Sequence, residues 1–144
     1  MYKRQVTTDR RSRFGESVPN GNSIFIFEVG GLCIGHLGHL HQEPSDFQYA
    51  LMGRLDVVMA NIDGGLSLDT ETMVRIMQRV RASVILPMHY HRPGSLQNFL
   101  SQLGDGFDVV EVETNAILVS QDTLPRRPTV FVVPPEFMQW DFDE

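Results

Sequence analysis

The sequence predicts an α/β fold with one mixed sheet and flanking helices. Between about residues 45 and 104, apolar β-branched segments alternate with segments whose apolar residues recur at helical spacing. Residues 83–88, "SVILPM", are apolar throughout, which is typical of a strand in the middle of a sheet. Such alternation favours parallel strands joined by helical crossovers. A hairpin signal earlier in the chain makes the sheet mixed.

Composition bounds the class of protein. The 144 residues suffice for one domain, and 42% hydrophobic residues is an ordinary globular content. A net charge of −6 argues against binding to nucleic acid. No apolar run approaches the ~20 residues that span a bilayer, and no signal peptide is visible. We therefore expect a cytoplasmic protein without membrane contact. Cys33 is the only cysteine, which excludes a cysteine-based zinc site.

Three regions follow from the patterning. Residues 1–22 are polar and hold five of the 12 basic groups, so we predict an irregular basic arm. Residues 23–135 form the folded domain. Residues 136–144 form an acidic tail that exposes aromatic side chains.

The elements of the domain are predicted in order. Strands at 23–29 and 32–37 flank a Gly30-Gly31 turn, as in a hairpin. A helix at 45–55, capped by Ser45, precedes a buried strand at 56–62. A helix at 68–82 begins at Asp69, and the apolar strand 83–88 follows it. The remaining elements are a helix at 95–104 and strands at 107–112, 115–120 and 129–133.

All five histidines lie directly after two strand-like segments. His36, His39 and His41 follow the hairpin, whereas His89 and His91 follow the apolar strand. Neutral imidazole is the commonest side-chain metal ligand, and a catalytic zinc needs about three protein ligands plus an open position. His36, His39, His41 and His89 supply that number if the two strand ends are adjacent. Ordinary loop histidines are the other interpretation, and His91 is expected to be solvated.

Two further residues have two interpretations each. Asp63, in "NIDGG", is either a ligand or general base, or a residue that forms the turn before the glycines. Tyr90 either donates a hydrogen bond to a developing oxyanion or packs against the core.

The order of these motifs resembles the C-terminal half of a metallo-β-lactamase-fold hydrolase. The resemblance rests on "NSIFIFEVGGLCIGHLGHLHQEPSDFQYALMGRLDVVMANIDGG" followed by "SVILPMHY", and it covers residues 22 to about 134. The most similar branch contains ascorbate-phosphate lactonase-like proteins. The resemblance implies half of a sandwich in which two sheets pack face to face between helices.

The resemblance also implies a function. Members bind one or two divalent ions, often zinc, and a metal-bound hydroxide attacks an ester, lactone, amide or phosphodiester of a small-molecule substrate. His89 matches the late histidine ligand, and His39 occupies the position of an aspartate that touches both metals. His36, His41, Asp63 and Tyr90 are candidates for supporting these ligands. The family's His-x-His-x-Asp-His motif is absent, so we expect a fragment that is inactive alone.

The first five residues, "MYKRQ", match the translation of a common transposase-adapter end. We therefore expect an open reading frame that was truncated during sequencing; the alternative is a natural coincidence of five residues.

A hypothesis from another class is a non-catalytic α/β interaction module. It would associate with itself through an exposed sheet face, with contacts from Phe25, Phe27 and Trp140, and its histidines would be ordinary loop residues.

Overall fold

A single mixed sheet of seven strands forms the centre of the molecule. The computed structural model describes residues 1–134. The strands are β1 (Tyr2–Arg11), β2 (Ser17–Val29), β3 (Leu32–His36), β4 (Val57–Asn61), β5 (Val84–Met88), β6 (Asp108–Glu111) and β7 (Thr129–Val132). The helices are α1 (Asp46–Met52), α2 (Thr70–Val80) and α3 (Pro93–Leu103), with a 3₁₀ turn at Gln121–Thr123. The strand order is β1-β2-β3-β4-β5-β7-β6. The predicted α/β class with one mixed sheet and flanking helices is confirmed.

The first 22 residues correct one expectation, because they form strands in place of an irregular arm. β1 pairs antiparallel with β2 from Tyr2 opposite Glu28 to Arg11 opposite Ser17. Val6 and Thr8 are buried at alternate positions, while most of the side chains between and around them are exposed. Because Val6 is the single aliphatic residue of β1, the period-2 pattern is too weak to distinguish a strand from a loop.

Tertiary contacts stabilise this strand. The Arg4 guanidinium donates hydrogen bonds to the carbonyl oxygens of Leu51 and Met52, and the Arg4 Nη2–Met52 O distance is 2.8 Å. Cations are favourable at the carboxyl end of a helix, where the last carbonyls lack helical partners. α1 therefore holds β1 in place through a basic residue of the segment that we expected to be irregular.

All three helices cover one face of the sheet. Strands β3, β4 and β5 are parallel and add to the sheet in one direction, so right-handed crossovers place their connections on the same side. One buried cluster joins Met52, Met73 and Phe99 of the helices to Val58 and Ile85 of the strands. These residues are at most 1% exposed, so this face holds the core.

The opposite face carries apolar side chains and no helix from the described part of the chain. Phe25, Met59 and Leu86 lie in register across β2, β4 and β5 on this face and are half-buried. Two neighbouring cavities, of about 450 and 270 Å³, share Met59, Leu86 and Ile117 in their linings. We call this surface the open face.

Residues 115–120 correct a second expectation, since they do not form a strand. β7 lies between β5 and β6, so the connection from β6 to β7 runs backwards across the sheet. A right-handed crossover then places this connection on the open face, where Ile117 lines both cavities. Ile117 and Val119 are half-buried over this surface, whereas Leu118 is 92% exposed. The segment therefore has a strand-like composition without strand pairing.

The other predicted elements are confirmed, most with shorter boundaries, whereas β2 begins six residues and α3 two residues earlier than predicted. Ser45 and Asp69 cap α1 and α2 as expected, and Gly104 follows the last residue of α3. No helix within residues 1–134 is both long and apolar enough to cross a membrane. The acidic tail and Trp140 lie outside the described residues.

Asp69→Ala is expected to lower the free energy of unfolding by about 1 kcal/mol, the usual effect of losing a helix N-cap. The Asp69 carboxylate accepts hydrogen bonds from the Thr72 backbone N–H and hydroxyl, at 3.0 and 2.9 Å. Urea unfolding measures the change. The control is Glu71→Ala in the same turn, which removes an exposed ion pair to Arg75 and should cost less than about 0.5 kcal/mol. Equal losses in the two variants would contradict the capping role.

Candidate metal centre

Several polar side chains collect where β3, β4 and β5 end. These strands are adjacent and parallel, so their carboxyl ends share one edge of the sheet, the usual place for ligands in such folds. His36 is the last residue of β3, and His39 and His41 follow in the next loop. Asp63 comes two residues after β4, and His89 comes directly after β5.

The structure brings His39 and His89 together across this edge. Their Nε2 atoms are 3.0 Å apart, and their ring centroids are 4.5 Å apart with the planes at 79°. The two strand ends are thus adjacent, as the metal-site interpretation of these histidines requires. The His89 backbone adopts a left-handed conformation, with φ of 57°, which costs a residue with a Cβ atom roughly 1 kcal/mol. Strain of this kind concentrates at functional sites.

The spacing of the two nitrogens is close to that of two ligands on one ion. Each Zn–N bond is about 2.0–2.1 Å, so two imidazole nitrogens on a tetrahedral zinc lie roughly 3.3 Å apart. The observed 3.0 Å differs from this by a few tenths of an ångström, which a small ring rotation supplies. The pair therefore fits two neighbouring positions of a coordination shell.

Asp63 lies behind His89 and fixes its ring. The Asp63 Oδ2 atom is 2.8 Å from His89 Nδ1, the nitrogen on the far side of the ring from His39. The Asp63 side chain is only 3% exposed, whereas that of His89 is 31% exposed. Because the carboxylate engages Nδ1, Nε2 remains the nitrogen that faces the centre.

The same carboxylate also builds the loop after β4. Asp63 Oδ1 accepts hydrogen bonds from the backbone N–H groups of Gly65, Leu66 and Ser67 at 2.9–3.0 Å. Burial raises the pKa of Asp63, but hydrogen bonds from Ser67, Gly65 and His89 outweigh it and hold that pKa well below its usual range. Asp63 is thus a turn-forming residue that also contacts the histidine pair.

His41 lies beside the pair with its ring turned to other partners. Its Nδ1 accepts a hydrogen bond from the Arg11 backbone N–H at 2.7 Å, and its centroid is 6.1 Å from that of His39. Burial lowers the pKa of His41, and the positive charges of Arg11 and Arg10 and the neighbouring His39 lower it further. The neutral ring therefore carries its proton on Nε2, which has no hydrogen-bond partner among the described residues.

The remaining candidates lie apart from the pair. His36 shares the open face with Phe25 and Met59, and its Nδ1 accepts a hydrogen bond from the Gly38 N–H at 3.1 Å. Tyr90 is half-buried against the core cluster, as its packing interpretation predicts. His91 is exposed, with its ring centroid 5.7 Å from that of His89.

The donors at this edge fit part of a metal site. Two imidazole nitrogens converge, and imidazole suits zinc, iron and copper. Within residues 1–134, however, no group of three or more histidine, cysteine or acidic side chains is arranged to hold an ion. The described chain thus brings together two imidazole side chains, whereas a catalytic zinc needs about three protein ligands.

Two residues of this cluster were not predicted from the sequence. Ser67 donates a hydrogen bond from its hydroxyl to Asp63 Oδ2 at 2.5 Å, and it accepts one from the side-chain amide of Asn61. Both Asn61 and Ser67 are fully buried. The available signal was a polar residue at the end of an otherwise apolar strand, since a buried amide needs a hydrogen-bond partner.

Comparisons with known proteins agree with this fold. A family model described as "Beta-lactamase superfamily domain" matches residues 1–89, and so includes the strands at the start of the chain. A solved structure from Thermotoga maritima, described as a candidate Zn-dependent hydrolase of the metallo-β-lactamase superfamily, superposes with a TM-score of 0.65 at 24% identity. The match covers 91% of this chain and 63% of the other chain, so this chain spans less than two thirds of that protein. No curated protein matches the chain significantly.

Proposed function

The chain belongs to the β-lactamase superfamily domain family, and from this premise we propose that it is part of a metal-dependent hydrolase. The observation that carries the proposal is the His39–His89 pair, whose Nε2 atoms meet at 3.0 Å at the carboxyl edge of the sheet. The T. maritima neighbour, described as Zn-dependent, supports zinc as the ion.

Each protein group at this edge has a definite task in the proposed enzyme. His39 and His89 present imidazole nitrogens to one or two divalent ions. Asp63 keeps the His89 ring from rotating, because its two oxygens are fixed by the loop after β4. A bound ion supplies the chemistry: it lowers the pKa of its water toward ~7 and polarises the carbonyl or phosphoryl oxygen of the substrate.

The remaining ligands belong, in our proposal, to a segment outside this chain. The chain spans 63% of the T. maritima protein, and the described residues supply two converging ligands. The family motif His-x-His-x-Asp-His would provide the others. Its segment would pack on the open face and complete a sandwich of two sheets.

The proposed substrate is a small molecule with a hydrolysable bond of one of four classes. An ester, lactone, amide or phosphodiester of a small molecule suits a metal-activated water, and the order of motifs favours the ascorbate-phosphate lactonase-like branch. We also propose the cytoplasmic location that the sequence predicts.

Zinc titration tests the role of the pair. The chain should bind zinc weakly, and His39→Ala or His89→Ala should weaken binding by more than about tenfold, since even a residue that only supports a ligand contributes that much. Competition with a chromophoric chelator measures the affinity. His91→Ala is the matched control, because it removes an exposed histidine of the same cluster that does not face His39. Equal affinity in all four proteins would contradict the metal site.

The open face supports a second candidate function. Residues 115–120 line the two cavities over its half-buried apolar side chains, and within the described residues no α-helix packs there. Monomers rarely expose apolar patches above a few hundred Å². A module that associates with a second copy through this face is therefore the alternative to a hydrolase fragment.

A further inference from the structure

We propose that Asn61, Ser67 and Asp63 form a buried hydrogen-bond relay that sets the tautomer of His89, with Asp63 as the positioning residue. The inference rests on the proposed metal-dependent function, and it identifies which residues orient a ligand of that centre. Its basis is the loop from Asn61 to Ser67, which connects the end of β4 to the helical layer and contacts the end of β5.

The relay begins at the strand end. Asn61 is the last residue of β4 and pairs with Met88, the residue before His89. The Ile62 N–H donates a hydrogen bond to the Met88 carbonyl at 3.0 Å. The start of the loop is therefore bonded to the residue directly before His89. Gly64 allows the chain to turn here, with φ of 78°.

The direction of each hydrogen bond follows from the chemistry of the groups. Asp63, as a carboxylate, only accepts, so the single Ser67 hydroxyl proton points to Asp63 Oδ2. The Ser67 oxygen is then an acceptor, and Asn61 must present its NH₂ group to it. The Asn61 Oδ1 atom has no partner among the described residues, so this buried side-chain amide is oriented by its bond to Ser67.

The same reasoning fixes the proton on His89. Nδ1 lies 2.8 Å from an oxygen that only accepts, so the neutral ring carries its hydrogen on Nδ1. Nε2 then carries no hydrogen, and its lone pair is directed at His39 Nε2, 3.0 Å away. This is the tautomer that a metal ligand requires, and the protein sets it before any ion arrives.

Several hydrogen bonds hold the Asp63 carboxylate in this orientation. Oδ1 accepts three backbone N–H bonds and Oδ2 accepts the Ser67 hydroxyl, so rotation of the carboxylate would break several bonds at once. A turn-forming residue needs only the bonds to Oδ1. The contacts of Oδ2 with Ser67 and His89 are what the relay adds.

The test is Asp63→Asn, which keeps an acceptor for the loop and replaces Oδ2 by an NH₂ donor. That donor should force the His89 proton onto Nε2. Two-bond ¹H–¹⁵N spectra of the ring nitrogens in metal-free protein should show an Nδ1–H tautomer in the wild type and an Nε2–H tautomer in the variant. Zinc affinity should fall by about 10- to 100-fold. Asp69→Asn is the matched control, since Asp69 caps α2 without contacting His89.

The outcomes separate this inference from the proposed function. An Nε2–H tautomer in the wild type overturns the relay without any variant, even if Asp63→Asn does not fold. Unchanged tautomer and zinc affinity in a folded Asp63→Asn also overturn it, while wild-type zinc binding would keep the proposed function. A tautomer that switches in a protein that binds no zinc supports the relay and contradicts the metal site. Ser67→Ala should keep the tautomer and weaken zinc binding less than Asp63→Asn.

Discussion

Adding the segment that we propose to lie outside this chain should convert weak zinc uptake into stoichiometric binding and raise hydrolysis from background to turnover on the order of 1 s⁻¹ or more. The reason is ligand number: in the proposed centre His39 and His89 would supply two ligands, whereas a catalytic zinc needs about three in fixed geometry. We predict that the gene continues upstream of "VTTDRRSRF" with a strand that ends in His-x-His-x-Asp-His, within about 100 residues. Metal analysis and assays with lactone, ester and phosphodiester substrates measure the effect.

Matched variants separate restored chemistry from restored folding. The extended protein with His39→Ala or His89→Ala should fold and lose both metal and activity, whereas His91→Ala should keep both. Hydrolysis by the 144-residue chain alone would contradict the prediction, as would a genomic stop codon just upstream. The same genomic sequence decides whether adapter DNA encodes residues 1–5.

Leu86→Glu should convert a self-associated chain into a monomer, with the dissociation constant raised by about 100-fold or more, because an unpaired charge in an apolar interface costs several kcal/mol. Leu86 lies in the middle of the open face and lines both of its cavities. Analytical ultracentrifugation of the wild-type chain should show dimers or larger species, and a hydrophobic dye should bind them.

Leu51→Glu provides the control for this substitution. Leu51 is 48% exposed on α1, the helix layer that covers the other face, so the same change should leave association unaltered. Circular dichroism should show that both variants keep their secondary structure. A wild-type chain that runs as a sharp monomer and unfolds cooperatively would contradict an uncovered apolar face. In the extended protein, Leu86→Glu should instead destabilise the fold.

The sequence alone determined the helical layer and the inner strands. Strong signals lie at these positions: Asp69 before a helical pattern whose Met73, Ile76 and Met77 proved buried, and an apolar run that became β5. Each signal is local, since a cap or a period needs only neighbouring residues. The position of the two histidine groups at one edge of the sheet was also indicated by the sequence. Both groups follow strand segments, and parallel strands of a sheet end at one edge.

Only the tertiary structure decided what depends on distant partners. β1 exists because Arg4 reaches the end of α1 and Val6 reaches the core, and neither contact has a trace in the local pattern. Residues 115–120 resemble a strand by composition, but the handedness of the crossover places them on the open face. The hydrogen-bond partners within the centre were equally absent from the local pattern. The spacing of His36, His39 and His41 does not distinguish them, and the resemblance alone favoured His39. The register of β3 and the bond from Arg11 leave His39 facing His89. Hydrogen-bond direction depends on which groups meet in space, and sequence spacing does not contain that information.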